Sequence, residues 1–149
     1  LKDIIYEVNT KSEDYFFLIV GNENEAGSII SKDIRKSNFK NLKFLPPQPR
    51  EVLVSIYSSS DVLLFLCQVG VGYGQVTIEA SLCELPVLSL DPGIDVKWWL
   101  GDNCCESTNE IIERLINKNY KVPVLPDSFD EDYIKVEYKK FFNTIITEG

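Results

Sequence analysis

The sequence predicts an α/β domain, a parallel sheet flanked by helices. Three observations carry that expectation. Four short apolar runs lack period-2 alternation, helical patterns lie between and after them, and the loops that leave the runs are rich in glycine or proline. The runs are Phe16–Val20, Leu42–Leu45, Val62–Leu66 and Val87–Leu90. Strands buried on both faces, as in a parallel sheet, read this way.

The helical segments follow in order. Around Glu25 to Ser37, residues Ile29, Ile30 and Ile34 share one side. Pro49 suits a first-turn position, and Val52, Leu53, Ile56 and Tyr57 then repeat at helical spacing. A further helix is expected from about Gln75 to Glu84. Ser107 with Glu110, and Ser128 with Glu131, have capping-box spacing ahead of periodic segments. The last segment carries Tyr133, Ile134, Tyr138, Phe141, Phe142, Ile145 and Ile146 as an apolar stripe. Strand alternating with helix implies right-handed crossovers, with ligands outside the carboxyl ends of the strands. The loops Gly21–Glu25, Pro46–Gln48, Gln68–Gly74 and Asp91–Gly93 form that edge.

Bulk properties bound the partners. The 149 residues suit one domain spanning positions 1–149, and 44% hydrophobic with 26% charged residues suits a globular protein. The net charge of −8 repels phosphate backbones and anionic lipid, so no nucleic-acid partner is expected. A small anionic ligand remains open, because backbone amides bind phosphate without Lys or Arg. No apolar run approaches the roughly 20 residues of a transmembrane span. Cys67, Cys83, Cys104 and Cys105 lack zinc-ligand spacing, and the chain has no His, so no metal site is expected. All four are read as reduced, in a cytoplasmic compartment. Without a His to activate it, Cys67 reads as a small buried hydrophobe rather than a nucleophile. The chain opens at Leu1 and contains no Met, which reads as an internal piece of a longer protein.

The most informative stretch is Gly70-Val71-Gly72-Tyr73-Gly74-Gln75-Val76-Thr77-Ile78-Glu79-Ala80. It runs from a strand end through alternating glycines into a helix. Glycines let the backbone approach a ligand closely, and the helix start offers unpaired amides to an anion. Glu79 is the odd residue in a helix otherwise apolar nearly all round, and therefore expected to be buried. A carboxylate there needs hydrogen-bond donors. Sugar hydroxyls at a cleft mouth could supply them; solvent or the chain itself could equally do so. Gly21 and Gly27 miss the dinucleotide-binding spacing, which argues against hydride transfer.

From Phe16 to Trp98 the chain resembles the C-terminal domain of family-4 GT-B retaining glycosyltransferases, a Rossmann-like half of a two-domain fold. The matching pieces are Phe17-Leu18-Ile19-Val20-Gly21, Asn41-Leu42-Lys43-Phe44-Leu45, Ser60-Asp61-Val62, Gly72-Tyr73-Gly74-Gln75-Val76, Glu79-Ala80, Leu85-Pro86-Val87 and Asp91-Pro92-Gly93. The resemblance implies donor binding. Glu79 would hold the ribose hydroxyls, Gly72, Tyr73 and Gly74 would lie against the donor sugar, and amides of Gln75 and Val76 would meet the diphosphate. Backbone near Leu45 and Pro46 would contact the base, with Gly21 close by. Val71 occupies the place of a carboxylate that touches the transferred sugar. Glu84 replaces a glycine usual before Leu-Pro-Val, and Pro92 one of two glycines.

By the same resemblance the substrate is a nucleoside diphosphate sugar, with no metal or other cofactor required. The family's diphosphate-clamping Arg and Lys, its first strand and its acceptor-binding N-terminal domain with the catalytic His have no counterpart here. The chain alone is therefore expected to bind and not to turn over. Two other readings stay open: a degenerate domain that binds nucleotide without catalysis or scaffolds a partner, and a GT-B-like nucleotide-sugar epimerase. Trp98 and Trp99 are expected to serve packing, and the acids at Asp127, Asp130, Glu131 and Asp132 to favour a helix first turn.

Overall fold

The computed structural model describes residues 1–21, 32, 34, 36–37, 39–66, 74–90 and 94–127, the side chains of 94–96 excepted. The elements run in the order α1 (Lys2–Lys11), β1 (Phe17–Val20), β2 (Leu42–Leu45), α2 (Arg50–Ser58), β3 (Leu63–Phe65), α3 (Gln75–Leu82), β4 (Val87–Leu90), α4 (Ile94–Leu100), β5 (Cys104–Cys105) and α5 (Thr108–Ile116). A single 3-10 turn, Gly101–Asn103, joins α4 to β5. The α/β class is as expected, and every strand pair among the described residues is parallel.

Among the described residues the strands form two sheets rather than one continuous sheet. β1 pairs with β2 from Phe17↔Leu42 to Val20↔Leu45. β4 lies between β3 and β5, with Leu63↔Val87 and Leu90↔Cys105 marking the registers. That split corrects the expectation that all four apolar runs are buried on both faces. Only β4, with a neighbour on each side, has Val87, Leu88 and Ser89 buried; no residue of β1 is buried.

Two core clusters sit against the strands. Ile4 and Val8 of α1 join Leu88, Cys105, Ile111, Ile112 and Leu115, with Phe17 and Leu64 packed against them. Complete burial of an Ile or Leu side chain contributes roughly 1.5–3 kcal/mol, so α1 is held by its Ile4/Ile5/Val8 stripe rather than by capping. The second cluster contains Tyr57, Phe65, Ala80, Leu85, Val87, Trp99 and Leu100. The tryptophan pair divides: Trp99 is buried and Trp98 is exposed. Within the expected Glu25–Ser37 segment Lys32, Ile34 and Lys36 are helical, with Ile34 buried and both lysines exposed. The rest of that segment, Cys67, and the closing stripe after Ser128 lie outside the described residues.

The helix ends are specific. Ser107 accepts a hydrogen bond from the Glu110 amide at 3.2 Å, and Glu110 Oε2 accepts from the Glu106 amide at 2.8 Å. This is the expected cap at the start of α5. At its end Lys118 takes φ 50°, with the Asn119 amide donating to Arg114 O at 2.8 Å and the Lys118 amide to Leu115 O at 2.9 Å. α3 closes identically. Glu84 has φ 57°, the Leu85 amide donates to Ala80 O at 2.9 Å, and the Glu84 amide to Ser81 O at 3.0 Å. Both are Schellman closures, whose left-handed residue is usually glycine. The Glu84 departure noted in the sequence therefore falls where a side chain is strained.

Candidate functional site

Within each sheet the parallel strands place their carboxyl ends, and the helix starts that follow, along one edge. At that edge the Gly21 amide donates to Leu45 O at 3.1 Å, tying the ends of β1 and β2 together. Pro46 follows Leu45, and Gln48 Nε2 donates to Pro46 O at 2.7 Å, folding the loop back before α2 begins at Arg50. Gly21, Leu45 and Pro46, named from the sequence as neighbours of the base, are thus adjacent.

α3 opens on Gly74, which sits at φ 60° and ψ 58° and offers no side-chain cap. An L-residue there would put its Cβ close to the following carbonyl oxygen, so the conformation favours glycine. Thr77 closes the turn, its amide and its hydroxyl donating to Gly74 O at 2.7 and 2.6 Å. The amides of Gln75 and Val76 belong to the first turn and have no partner within the helix. Both residues are exposed. A helix start of this kind attracts an anion by about 0.3–1 kcal/mol per contact, more when partly buried. Val71, Gly72 and Tyr73, the other members of the expected donor loop, lie outside the described residues.

α3 is not apolar and buried all round, as its composition implied. Thr77, Ala80 and Ser81 are buried, whereas Val76 and Leu82 are exposed. Buried small hydroxyls replace the expected large apolar contacts: Ser81 Oγ donates to Thr77 O at 2.8 Å, so each hydroxyl is satisfied inside its own helix.

Glu79 lies one turn beyond the amides, its side chain 30% exposed. Its donor comes from the chain itself. The Tyr57 hydroxyl donates to Glu79 Oε2 at 3.2 Å, joining α2 to α3. On the other side Arg50 Nη2 stands 3.9 Å from Oε1, with the arginine 81% exposed. Arg50, Leu53 and Tyr57 recur on one face of α2 at i, i+3 and i+7. Burial, and then the Glu79 carboxylate, push the Tyr57 phenol up to about 12, so it stays a donor at neutral pH. Sequence reasoning missed Tyr57 and Arg50. Tyr57 was visible only as one member of an apolar stripe.

Elsewhere, a cavity of about 530 Å³ opens beside α1, lined by Lys2, Asp3, Tyr6, Asn9, Thr10, Ser37 and Phe39. None of the expected donor residues lines it. Cys83, Cys104 and Cys105 are free thiols, and burial pushes that of Cys105 up to about 11, which makes it a packing residue rather than a nucleophile. No group of three or more metal-ligating side chains occurs among the described residues. No helix among them is long and apolar enough to cross a membrane.

An α/β domain of parallel strands, with a glycine-led helix start and a carboxylate held by a tyrosine, defines the class. The family follows from comparison: the model of the glycosyl transferases group 1 matches residues 3–95, more than half of the chain. The chain belongs to the group 1 glycosyltransferases, and its fold is that of the C-terminal half of a GT-B enzyme. No curated protein matches the sequence.

Proposed function

We propose that the chain is the donor-binding half of a retaining glycosyltransferase that moves a hexose from a nucleoside diphosphate sugar to a carbohydrate or lipid-linked acceptor. One observation carries this reading: an exposed, glycine-led helix start lies one turn from a carboxylate held by a buried tyrosine. Amides of Gln75 and Val76 receive the diphosphate, and Glu79 accepts from the ribose hydroxyls. Leu45 and Pro46, with Gly21 beside them, flank the base. Gly72, Tyr73 and Val71 complete the loop against the sugar. As the sugar departs, charge grows on the diphosphate, and preoriented amides stabilise it without reorganisation. In this reading no metal takes part, the acceptor and the catalytic His belong to the other GT-B half, and this chain binds without turning over.

Titration calorimetry with UDP and GDP tests the reading. One of them binds, and Glu79→Ala weakens it by about 1.5–3 kcal/mol, the usual loss for hydrogen bonds to a charged group. Binding that is tight and indifferent to Glu79→Ala defeats the ribose assignment.

Val71, standing where the family carries a sugar-contacting carboxylate, favours a second reading, a domain that binds nucleotide without catalysis. Val71→Glu separates the two. A gain in affinity for the nucleotide sugar over the bare diphosphate marks a site one residue from the family pattern; no gain marks a rebuilt one.

A further inference from the structure

We propose that Tyr57 is a positioning residue for Glu79: its hydroxyl occupies Oε2 and fixes the carboxylate so that Oε1 is presented to the vicinal diol of a ribose. The inference rests on the donor-site reading and deepens it.

The geometry assigns different tasks to the two groups that face Glu79. Tyr57 is 9% exposed and packed in the core with Phe65, Ala80, Leu85, Val87, Trp99 and Leu100, so its hydroxyl has a fixed place. The single proton of that hydroxyl goes to Oε2 at 3.2 Å. Arg50 cannot do the same work. Its nitrogen is 3.9 Å from Oε1, beyond hydrogen-bond distance, and the side chain is 81% exposed, so solvent screens the pair. A carboxylate with one oxygen anchored to the core loses its χ3 freedom before the ligand arrives. The ordering entropy is then not charged to binding, which is how preorganisation raises affinity. Because the phenol is not ionised at neutral pH, the anchor holds across the physiological range.

The alternative is that the Tyr57–Glu79 bond merely braces α2 against α3. The two roles differ in what they do to ligand selectivity. A brace, when cut, weakens every ligand alike; a positioning residue, when cut, erodes the preference for a ligand carrying the diol. The experiment therefore measures affinities of UDP and GDP, each against its 2′-deoxy form, for the intact chain and for Glu79→Gln and Tyr57→Phe. The expected result is a ribose preference in the parent, a ratio near unity in Glu79→Gln, and a ratio reduced about two- to tenfold in Tyr57→Phe. Thermal melting of Tyr57→Phe, which keeps the ring in the core, shows that the fold survives. A ratio unchanged by Glu79→Gln overturns the donor-site reading itself. A ratio that collapses in Glu79→Gln but stays at the parent value in Tyr57→Phe leaves that reading standing and overturns the positioning role alone.

Discussion

Glu84→Gly should stabilise this protein, although it removes a whole side chain. Glu84 closes α3 at φ 57° as the left-handed residue of a Schellman motif, and it is exposed, so its side chain contributes no core contact. Holding an L-residue in that conformation costs about 1–2 kcal/mol. Glycine returns about 0.5–1 kcal/mol of this through the greater entropy of its unfolded chain. The net gain is about 0.5–1 kcal/mol, or a melting temperature higher by about 1–4 °C for a domain of this size. Lys118 supplies the control: it occupies the same place after α5 at φ 50°, with the opposite charge. Lys118→Gly should therefore gain too. It should gain less, because a cation suits a helix C-terminus and an anion does not, and that difference should shrink in high salt. Urea unfolding at two salt concentrations reads all of this. If Glu84→Ala matches Glu84→Gly, or if only the glutamate site gains, the effect is charge, and the backbone argument is refuted.

Other outcomes follow from the same geometry. Gly74→Ala and Gly101→Ala both place an alanine at positive φ, 60° and 53°, and by the same balance of strain against unfolded-chain entropy each should lose about 0.5–1 kcal/mol in unfolding assays; only Gly74→Ala should also weaken nucleoside diphosphate binding. Glu79→Gln should lower the Tyr57 phenol from about 12, read by NMR of 13C-labelled tyrosine, yet leave it above the usual 10 because burial is the larger cause. The backbone hydrogen bond from Glu106, with help from Arg114, holds the Glu110 carboxyl below the usual glutamate range. Its share of stability is therefore complete above the unfolded-state value and fades as pH falls through the lower folded one. Glu110→Gln should flatten the acid limb of a melting-temperature profile below about pH 4.3.

The strand runs and the α5 cap could be read from the chain because each is a local signal: unbroken apolar stretches, and Ser107 with Glu110. β2 and β4 match their expected bounds, Leu42–Leu45 and Val87–Leu90. α1 was passed over. Its stripe of Ile4, Ile5 and Val8 is brief and bracketed by charges, and packing with α5, Leu88 and Cys105 makes it a core element. β5 was invisible for a different reason, since two cysteines carry no period and their pairing to β4 is wholly non-local. The same distinction governs the site. Gly74 and Glu79 announce themselves by type and spacing within one helix. Tyr57 lies twenty-two residues before Glu79 in the sequence and meets it only across two helices. Reading α3 as buried all round failed because exposure is set by the neighbours a helix finds.

The decisive measurement is amide chemical-shift mapping of the 15N-labelled chain during titration with UDP and GDP. Gln75, Val76 and Glu79 should move first and furthest, with Gly21 and Leu45 following. Shifts confined to Tyr6, Asn9 and Phe39 around the α1 cavity, with the start of α3 unmoved, would contradict a nucleotide site at the strand edge.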